Sequence, residues 1–437
     1  MHAHVRAGSL ALAIAALAAA PMATAAQDLP PVTGDSVTLQ PFANTTAGEF
    51  TPAKGFQVFK SARASLNISF YGLVRYLNQL PGEQTFTDHL GRERAVRARN
   101  DVNWHRTMVW FTGHFWVPNF RWNITAWSLG ATQQTLLFGN LQYTVGPALT
   151  IAAGMAPNLT VRSMQGSFPF WGGSDRQMTE EFMRGGFSSG VFVTGQPVPR
   201  FFYTASINTN LSQLGVTAAN DPRSLAYSGS VQWMPTTGEF GPRGGFGDLE
   251  HHEQAATRFG ASVAHVREGR GAADSLPNAE TQLRLSDGVY VFEEGALAPG
   301  VVVRFVDYDE FAVDAGMKYR GLTLQGEYYW RRLSDFDATG PIPQDDLLDH
   351  GFQVQANYMV VPRYVALYGT YGRVFDDFER NPWEVSGGIS VYPMGVRSLR
   401  LNAHVIRVER SPAGSNFGYY TAGQSGTTIS LGTDIIF

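Results

Sequence analysis

The chain has 437 residues, with 33 Lys and Arg against 37 Asp and Glu, a net charge of −4, no cysteine, 47 glycines, 13% aromatic and 16% charged residues. A chain without cysteine has neither a disulfide framework nor thiolate metal sites or nucleophiles, and this near-neutral balance lacks the basic field that nucleic acid requires. Charged residues fall below the roughly 25% of ordinary globular domains, and past the N-terminal segment no stretch has the length and continuity of a membrane-crossing helix.

The opening MHAHVRAGSLALAIAALAAAPMATAA sets Arg6 before an apolar run from Leu10 to Ala20 and ends on small residues. That order predicts a secretory signal peptide over 1–26, cleaved after Ala25 or Ala26, and export from the cytoplasm. From Gln27 to about Arg63 no periodicity is visible, and 27–63 is expected to be an extended periplasmic lead-in. Alternation begins in SLNISFYGLVRY, with Leu66, Ile68, Phe70, Gly72, Val74 and Tyr76 on one face and Asn67, Ser69, Tyr71 and Arg75 on the other. A two-residue period marks a strand with one apolar and one wetter face.

The same pattern fills the rest of the chain. Tight hairpin turns are expected at Pro118-Asn119, Gly146-Pro147, Pro197-Val198-Pro199, Arg320-Gly321, Pro362-Arg363 and Met394-Gly395. Long polar connections separate them at 79–104, 156–184, 211–223, 268–308, 333–349, 375–383 and 410–426. Short turns at one end and long loops at the other, joined by alternating segments of about 10 residues, describe a transmembrane up-and-down antiparallel β-barrel. An all-β barrel of about 16 strands is expected over 64–437. If 235–256 is an extra hairpin rather than a periplasmic flap, the count becomes 18. The terminal TTISLGTDIIF alternates to its last residue, and an open sheet edge is not tolerated in lipid, so this strand should pair with the first.

Strand parity turns Arg75, Arg121, Arg258, Lys318, Arg331, Arg400, Asp314, Glu327 and Glu384 toward the lumen. Charges on a lipid face cost about 2–4 kcal/mol near the midplane. A guanidinium fork binds carboxylate or phosphate, and a ring of charge selects ions by sign. The connection 156–184 is expected to fold inward as a constriction loop, with Arg162, Arg176 and Arg184 against Asp175, Glu180 and Glu181. Inward aromatics are expected at Tyr71, Trp110, Trp116, Trp127, Phe202, Tyr329, Tyr368 and Tyr392. His114 and His404 are the strand histidines on the polar parity, and no G-x-S-x-G frames a serine. His251-His252-Glu253 on a turn is not expected to bind metal. No cofactor, catalytic residue or enzymatic activity is expected.

The strand pattern, the first strand YGLVRY, the stretch SMQGSFPFWGGSDRQMTEEF in a long outer connection and WMPTTGEFGPRGGFGD together resemble the phosphate-selective porin O and P family of Gram-negative outer membranes, over about Ser65 to Phe437. The resemblance implies a homotrimer of 16-stranded barrels, each with a loop folded into an arginine-rich constriction, and a C-terminal aromatic favoured by the barrel-assembly machinery. The chain departs from the family in having three lysines, Lys54, Lys60 and Lys318, too few for a lysine cluster. The expectation is an outer-membrane porin, set among outer-membrane lipids, that passes small hydrophilic solutes passively with a mild preference for small anions. The alternatives are a specific channel for phosphate or organic anions and a non-conducting structural or adhesion barrel.

Overall fold

In a computed structural model, residues 55–129, 134–157, 160–162, 171–209, 211, 224–241, 245–270, 283–414 and 418–437 are described. The expected signal peptide, most of the expected lead-in and 163–170 of the expected inner loop lie outside them. The chain forms β1 (Phe56–Lys60), β2 (Ser65–Leu80), β3 (Glu83–Thr87), β4 (Glu93–Arg97), β5 (Asn100–His114), β6 (Phe120–Leu129), β7 (Gln134–Gly146) and β8 (Leu149–Pro157). A short helix, α1 (Met178–Met183), precedes β9 (Phe187–Val198), β10 (Phe201–Asn208), β11 (Ala226–Trp233), β12 (Ala256–Gly269) and β13 (Val303–Tyr319). The rest is β14 (Leu322–Ala338), β15 (Asp346–Val361), β16 (Val365–Asp376), β17 (Trp383–Val391), β18 (Leu399–Glu409) and β19 (Gly426–Ile436).

Sixteen strands, β2 and β5 to β19, form a closed antiparallel ring. Ten residue pairs, from Thr427↔Leu80 to Ile436↔Tyr71, join the last strand to the first. Phe437 extends the seam, exchanging backbone hydrogen bonds of 3.0 and 3.1 Å with Phe70. Its ring stacks on Phe56 and Phe70, with centroids 5.9 and 5.6 Å away. Part of the lead-in read as aperiodic is thus a strand: β1 pairs with β2 from Phe56↔Ile68 to Lys60↔Ser65, just beyond the end of β19.

Alternation sorts the side chains. Val74, Leu137, Leu141, Val145, Ile151 and Val191 face out and are exposed, while Arg75, Trp110, Asn140, Asp314 and Glu384 face in and are buried. On β13 the outward positions Tyr319, Met317, Ala315, Val313 and Phe311 precede Asp309 and Asp307. At about 3.4 Å per residue and a tilt near 40°, this makes an apolar belt roughly 23 Å tall. Above it, β12 to β15 project further than the sequence pattern suggested, with outward ion pairs Arg267–Asp307 and Arg332–Asp346. The Arg320-Gly321 turn takes φ of 47° and 85°, the left-handed pair that a two-residue hairpin needs.

A β3–β4 hairpin folds over the long-connection end. Arg94 joins Asp88 to Glu293 at 2.8 and 2.7 Å, and His89 bonds Asp287 at 2.7 Å. Burial alone would raise the Asp88 pKa, but hydrogen bonds from Arg94, Arg92 and the Arg92 backbone hold it at about 2. At the opposite end, the described residues of 234–255 contain no strand, so this stretch is a flap and the ring has 16 members rather than 18.

Removing Phe437 takes away two seam hydrogen bonds, each worth about 0.5–1.5 kcal/mol, and two ring contacts of roughly 1 kcal/mol each. In protein refolded in detergent, the expected result is a loss of about 3–5 kcal/mol in urea unfolding, while Ile435→Val, a small outward change, should have little effect.

Candidate functional site

Two segments enter the lumen from opposite ends. From the long-connection end, Trp171 to Arg184 runs down inside the wall. Gly172 and Gly173 permit its close approach: a Cβ there would meet Gln355 Nε2 at 2.8 Å and the Tyr419 hydroxyl at 2.7 Å. Arg400 Nη1 donates to the Trp171 carbonyl at 2.6 Å, Ser390 to the Gly172 carbonyl at 3.0 Å, and the Ser174 amide to the Tyr419 hydroxyl at 2.6 Å. The Met178 amide donates to Glu384 at 2.9 Å, which seats the start of α1.

Three carboxylates in the lumen are each shared by two arginines. Asp175 of the inner loop lies 3.5 Å from Arg75 and 3.4 Å from Arg106. Asp314 lies 3.8 Å from Arg162 and 3.4 Å from Arg258. Asp434 bonds both Arg397 and Arg400. All nine side chains are nine-tenths or more buried. Counted by its own three residues and with every group ionised, each trio sums to one positive charge.

The remaining charges pair more evenly. Arg331 meets Asp349 at 2.6 Å and lies over the Phe182 ring, Arg176 meets Glu180 at 3.3 Å, and Arg184 meets Glu181 at 2.8 Å. Glu327 accepts from the Arg162 amide at 2.8 Å and from Tyr329 at 2.7 Å. Glu310 and Glu384 accept from Tyr308 and Tyr420. Arg121 is half-buried near the short-turn end, in register with His114 and Gln142.

From the short-turn end, the flap 234–255 inserts Phe240 and Phe246. The Arg162 guanidinium lies 5.4 and 4.7 Å from their ring centres, and the Lys318 ammonium 4.9 Å from Phe240. Asp248 is fully buried and accepts from the Gly321 amide at 2.8 Å. His252 bonds Asp248 through Nδ1 and Glu239 through Nε2, the latter at 2.8 Å. Asp248, Glu250 and His252 bring ligand-type atoms within 4.8 Å of one another. Both imidazole nitrogens already face carboxylates, so the arrangement is a charge clamp on the flap.

The sequence-derived residues therefore fall into three groups. Arg75, Asp175, Arg162, Arg258 and Arg400 join the shared trios; Arg176, Glu180, Glu181, Arg184, Glu327 and Arg331 line the inner loop and its wall; Arg121 and Lys318 lie toward the short-turn end. Strand reading missed Arg106, because a bulge opposite Leu73 and Val74 turns both His105 and Arg106 inward. Trp116, expected inside, is 73% exposed with φ of 60° at the hairpin tip and stacks on Phe120 at 5.5 Å. Tyr71, Trp110, Trp127, Tyr329, Tyr368 and Tyr392 are buried inside as expected. His114 bonds Ser65 at 2.7 Å and His404 bonds Ser386 at 2.9 Å. Among the described residues no carboxylate orients the other nitrogen of either ring.

No protein-family model and no curated protein sequence matches the chain. Solved structures do share its fold. OmpT folded in vitro, an outer membrane protein of Vibrio cholerae, is 12% identical with a TM-score of 0.52, over 87% of this chain and 99% of its own. The anion-selective porin from Comamonas acidovorans is 13% identical with a TM-score of 0.50, over 85% of this chain and 100% of its own. At such identity the likeness establishes the fold alone, a closed 16-stranded antiparallel β-barrel, and does not single out the phosphate-selective branch.

Burial lowers the proton affinity of His252, but its bond to Asp248 and the charges of Asp248 and Glu239 outweigh that and raise its pKa. Lys318, Arg320, Glu250 and Glu253 are the other charges around it. The clamp's contribution is then fully present below the unperturbed value of about 6.5 and lost as pH rises through the raised value. Hydrogen exchange in 245–255, corrected for intrinsic rates, should accelerate across that window. His252→Gln should remove this step in the pH profile; an identical profile would exclude the clamp.

Proposed function

We propose that the chain is an outer-membrane porin: a passive channel for small hydrophilic solutes with a mild preference for anions, and no enzyme. The observation carrying this is a sealed ring whose exterior is an apolar belt and whose interior holds arginines in excess over the carboxylates they share. A charged side chain inside so narrow a wall acts on a permeating ion through little intervening water. The three trios, each one charge positive, favour anions in transit without providing a free fork. An arriving phosphate would have to displace a tethered carboxylate from two arginines, which supports a weak preference over a specific phosphate or organic-anion channel. The incomplete Ser–His pairs support the non-catalytic reading. Export by the N-terminal signal, assembly as a homotrimer, insertion by the barrel-assembly machinery through Phe437 and a constriction role for the thirteen sequence-derived residues belong to the same proposal.

Reconstitution in planar bilayers tests it. A KCl gradient should give a reversal potential on the anion-selective side, and absence of conductance would favour a structural or adhesion barrel. Asp175→Asn leaves Arg75 and Arg106 without their carboxylate and should move the reversal potential further toward chloride; Arg121→Glu should move it toward potassium. Arg400→Glu opposes Asp434 and releases the Trp171 carbonyl, so its main effect should be a stability loss of about 3–5 kcal/mol, seen in the unfolding midpoint.

Replacing 171–184 by a short Gly-Ser linker should raise single-channel conductance, because this segment, α1 included, occupies the lumen inside the wall. Unchanged conductance and selectivity would remove the inner loop from the pathway.

A further inference from the structure

One strip of the lumen wall is neither charged nor apolar. Thr323 and Gln325 on β14, and Gln353, Gln355 and Asn357 on β15, all turn inward. Their registers, Thr323↔Asn357, Gln325↔Gln355 and Glu327↔Gln353, set them side by side. Each is more than nine-tenths buried. Among the described residues, the Thr323 hydroxyl, both amide atoms of Gln325, Gln353 Oε1, Gln355 Nε2 and Asn357 Oδ1 have no hydrogen-bond partner.

The described residues that lie against this strip answer its polarity only in part. A Cβ at Gly316 would meet the Phe240 ring at 2.8 Å and Gln325 Cγ at 3.3 Å, so the flap's ring and the Gln325 side chain lie close together. Gly247 of the flap lies against Asn357, and Gly172 of the inner loop against Gln355. Gln355 Oε1 does accept from Gln177 at 3.1 Å. Beyond it, Trp171, Phe246 and Tyr368 join Gln355, Arg176 and Glu180 around a cavity of about 10 Å³, the room of a single water. Buried amides facing aromatic rings lose hydration without a protein partner in return. A molecule carrying many hydroxyls would answer them, because each hydroxyl both donates and accepts, and its C–H faces would lie on the rings that flank the strip.

We propose that the row Thr323, Gln325, Gln353, Gln355 and Asn357 is a binding strip for an uncharged polyhydroxylated solute, a saccharide or polyol, which replaces the flap's phenylalanines against the wall as it passes. This rests on the channel reading above and names the solute class. The five residues of the row are themselves uncharged, with Glu327 and Glu180 bonded to Gln353 at one end and Lys318 in register with Thr323 at the other, so a carboxylate gains no fork along the row itself.

The test is a matched pair of solutes: glucose and gluconate titrated against KCl current through the reconstituted channel. The expected result is a saturable reduction of current by glucose, with gluconate at least tenfold weaker. Gln325→Leu combined with Gln355→Leu should raise the half-saturation concentration for glucose at least tenfold, whereas Asn140→Leu, on β7 away from the strip, should not. A conducting wild type with no saturable glucose effect, or with gluconate the tighter ligand, overturns the strip. A folded protein that does not conduct at all overturns the channel reading instead. Should the double variant fail to fold, the wild-type comparison of the two solutes still decides.

Discussion

The pairing of β19 with β2 is the constraint on which everything else depends. A sheet with a free edge would present a row of unpaired amides and carbonyls, which lipid cannot solvate. Closing the ring also fixes the register of every strand relative to its neighbours. Because side chains alternate, fixing register decides which residues share the lumen. Asp434 can reach Arg397 and Arg400 because β18 and β19 are locked from Leu399↔Ile435 to Val408↔Gly426. A slip of one residue would turn these charges into the apolar belt.

The lumen is filled from both ends, and charge is how the filling is held. Buried guanidiniums are costly to desolvate and are tolerated where carboxylates and carbonyls surround them. The inner loop supplies both, with Asp175 between Arg75 and Arg106 and the Trp171 carbonyl on Arg400. Flap and inner loop then meet the wall in different ways: the loop by ion pairs and backbone bonds, the flap chiefly by rings under Arg162 and beside Gln325. The flap's strongest polar hold, Asp248 with His252 and the Gly321 amide, lies at its rim.

Much of this was legible in the sequence because the two-residue period is stiff. Turns at Pro118-Asn119, Gly146-Pro147 and Arg320-Gly321, the inward parity of Arg75, Arg258, Lys318 and Arg400, and the closing role of the C-terminus follow from alternation and turn chemistry alone. What alternation could not reveal is where it breaks. The bulge at His105 shifts the inward parity of β5 and hides Arg106. Trp116 continues the apparent parity of its strand but sits in the turn, where parity has no meaning. Asp307 and Asp346 fell within the expected connections 268–308 and 333–349, because the strands run on above the apolar belt into water. The flap carries no period, so its entry into the lumen, and with it Phe240 and Phe246, had no one-dimensional signal. Partners in the shared trios come from segments far apart in the chain, which only the closed ring brings together.

β1 and β19 lie end to end on one edge of β2, the first reaching Ile68 and the second stopping at Phe70. The short N-terminal strand is therefore an end-stop. If the last strand slid two places down its neighbour, Phe437 would run into Phe56, so β1 measures where β19 must halt.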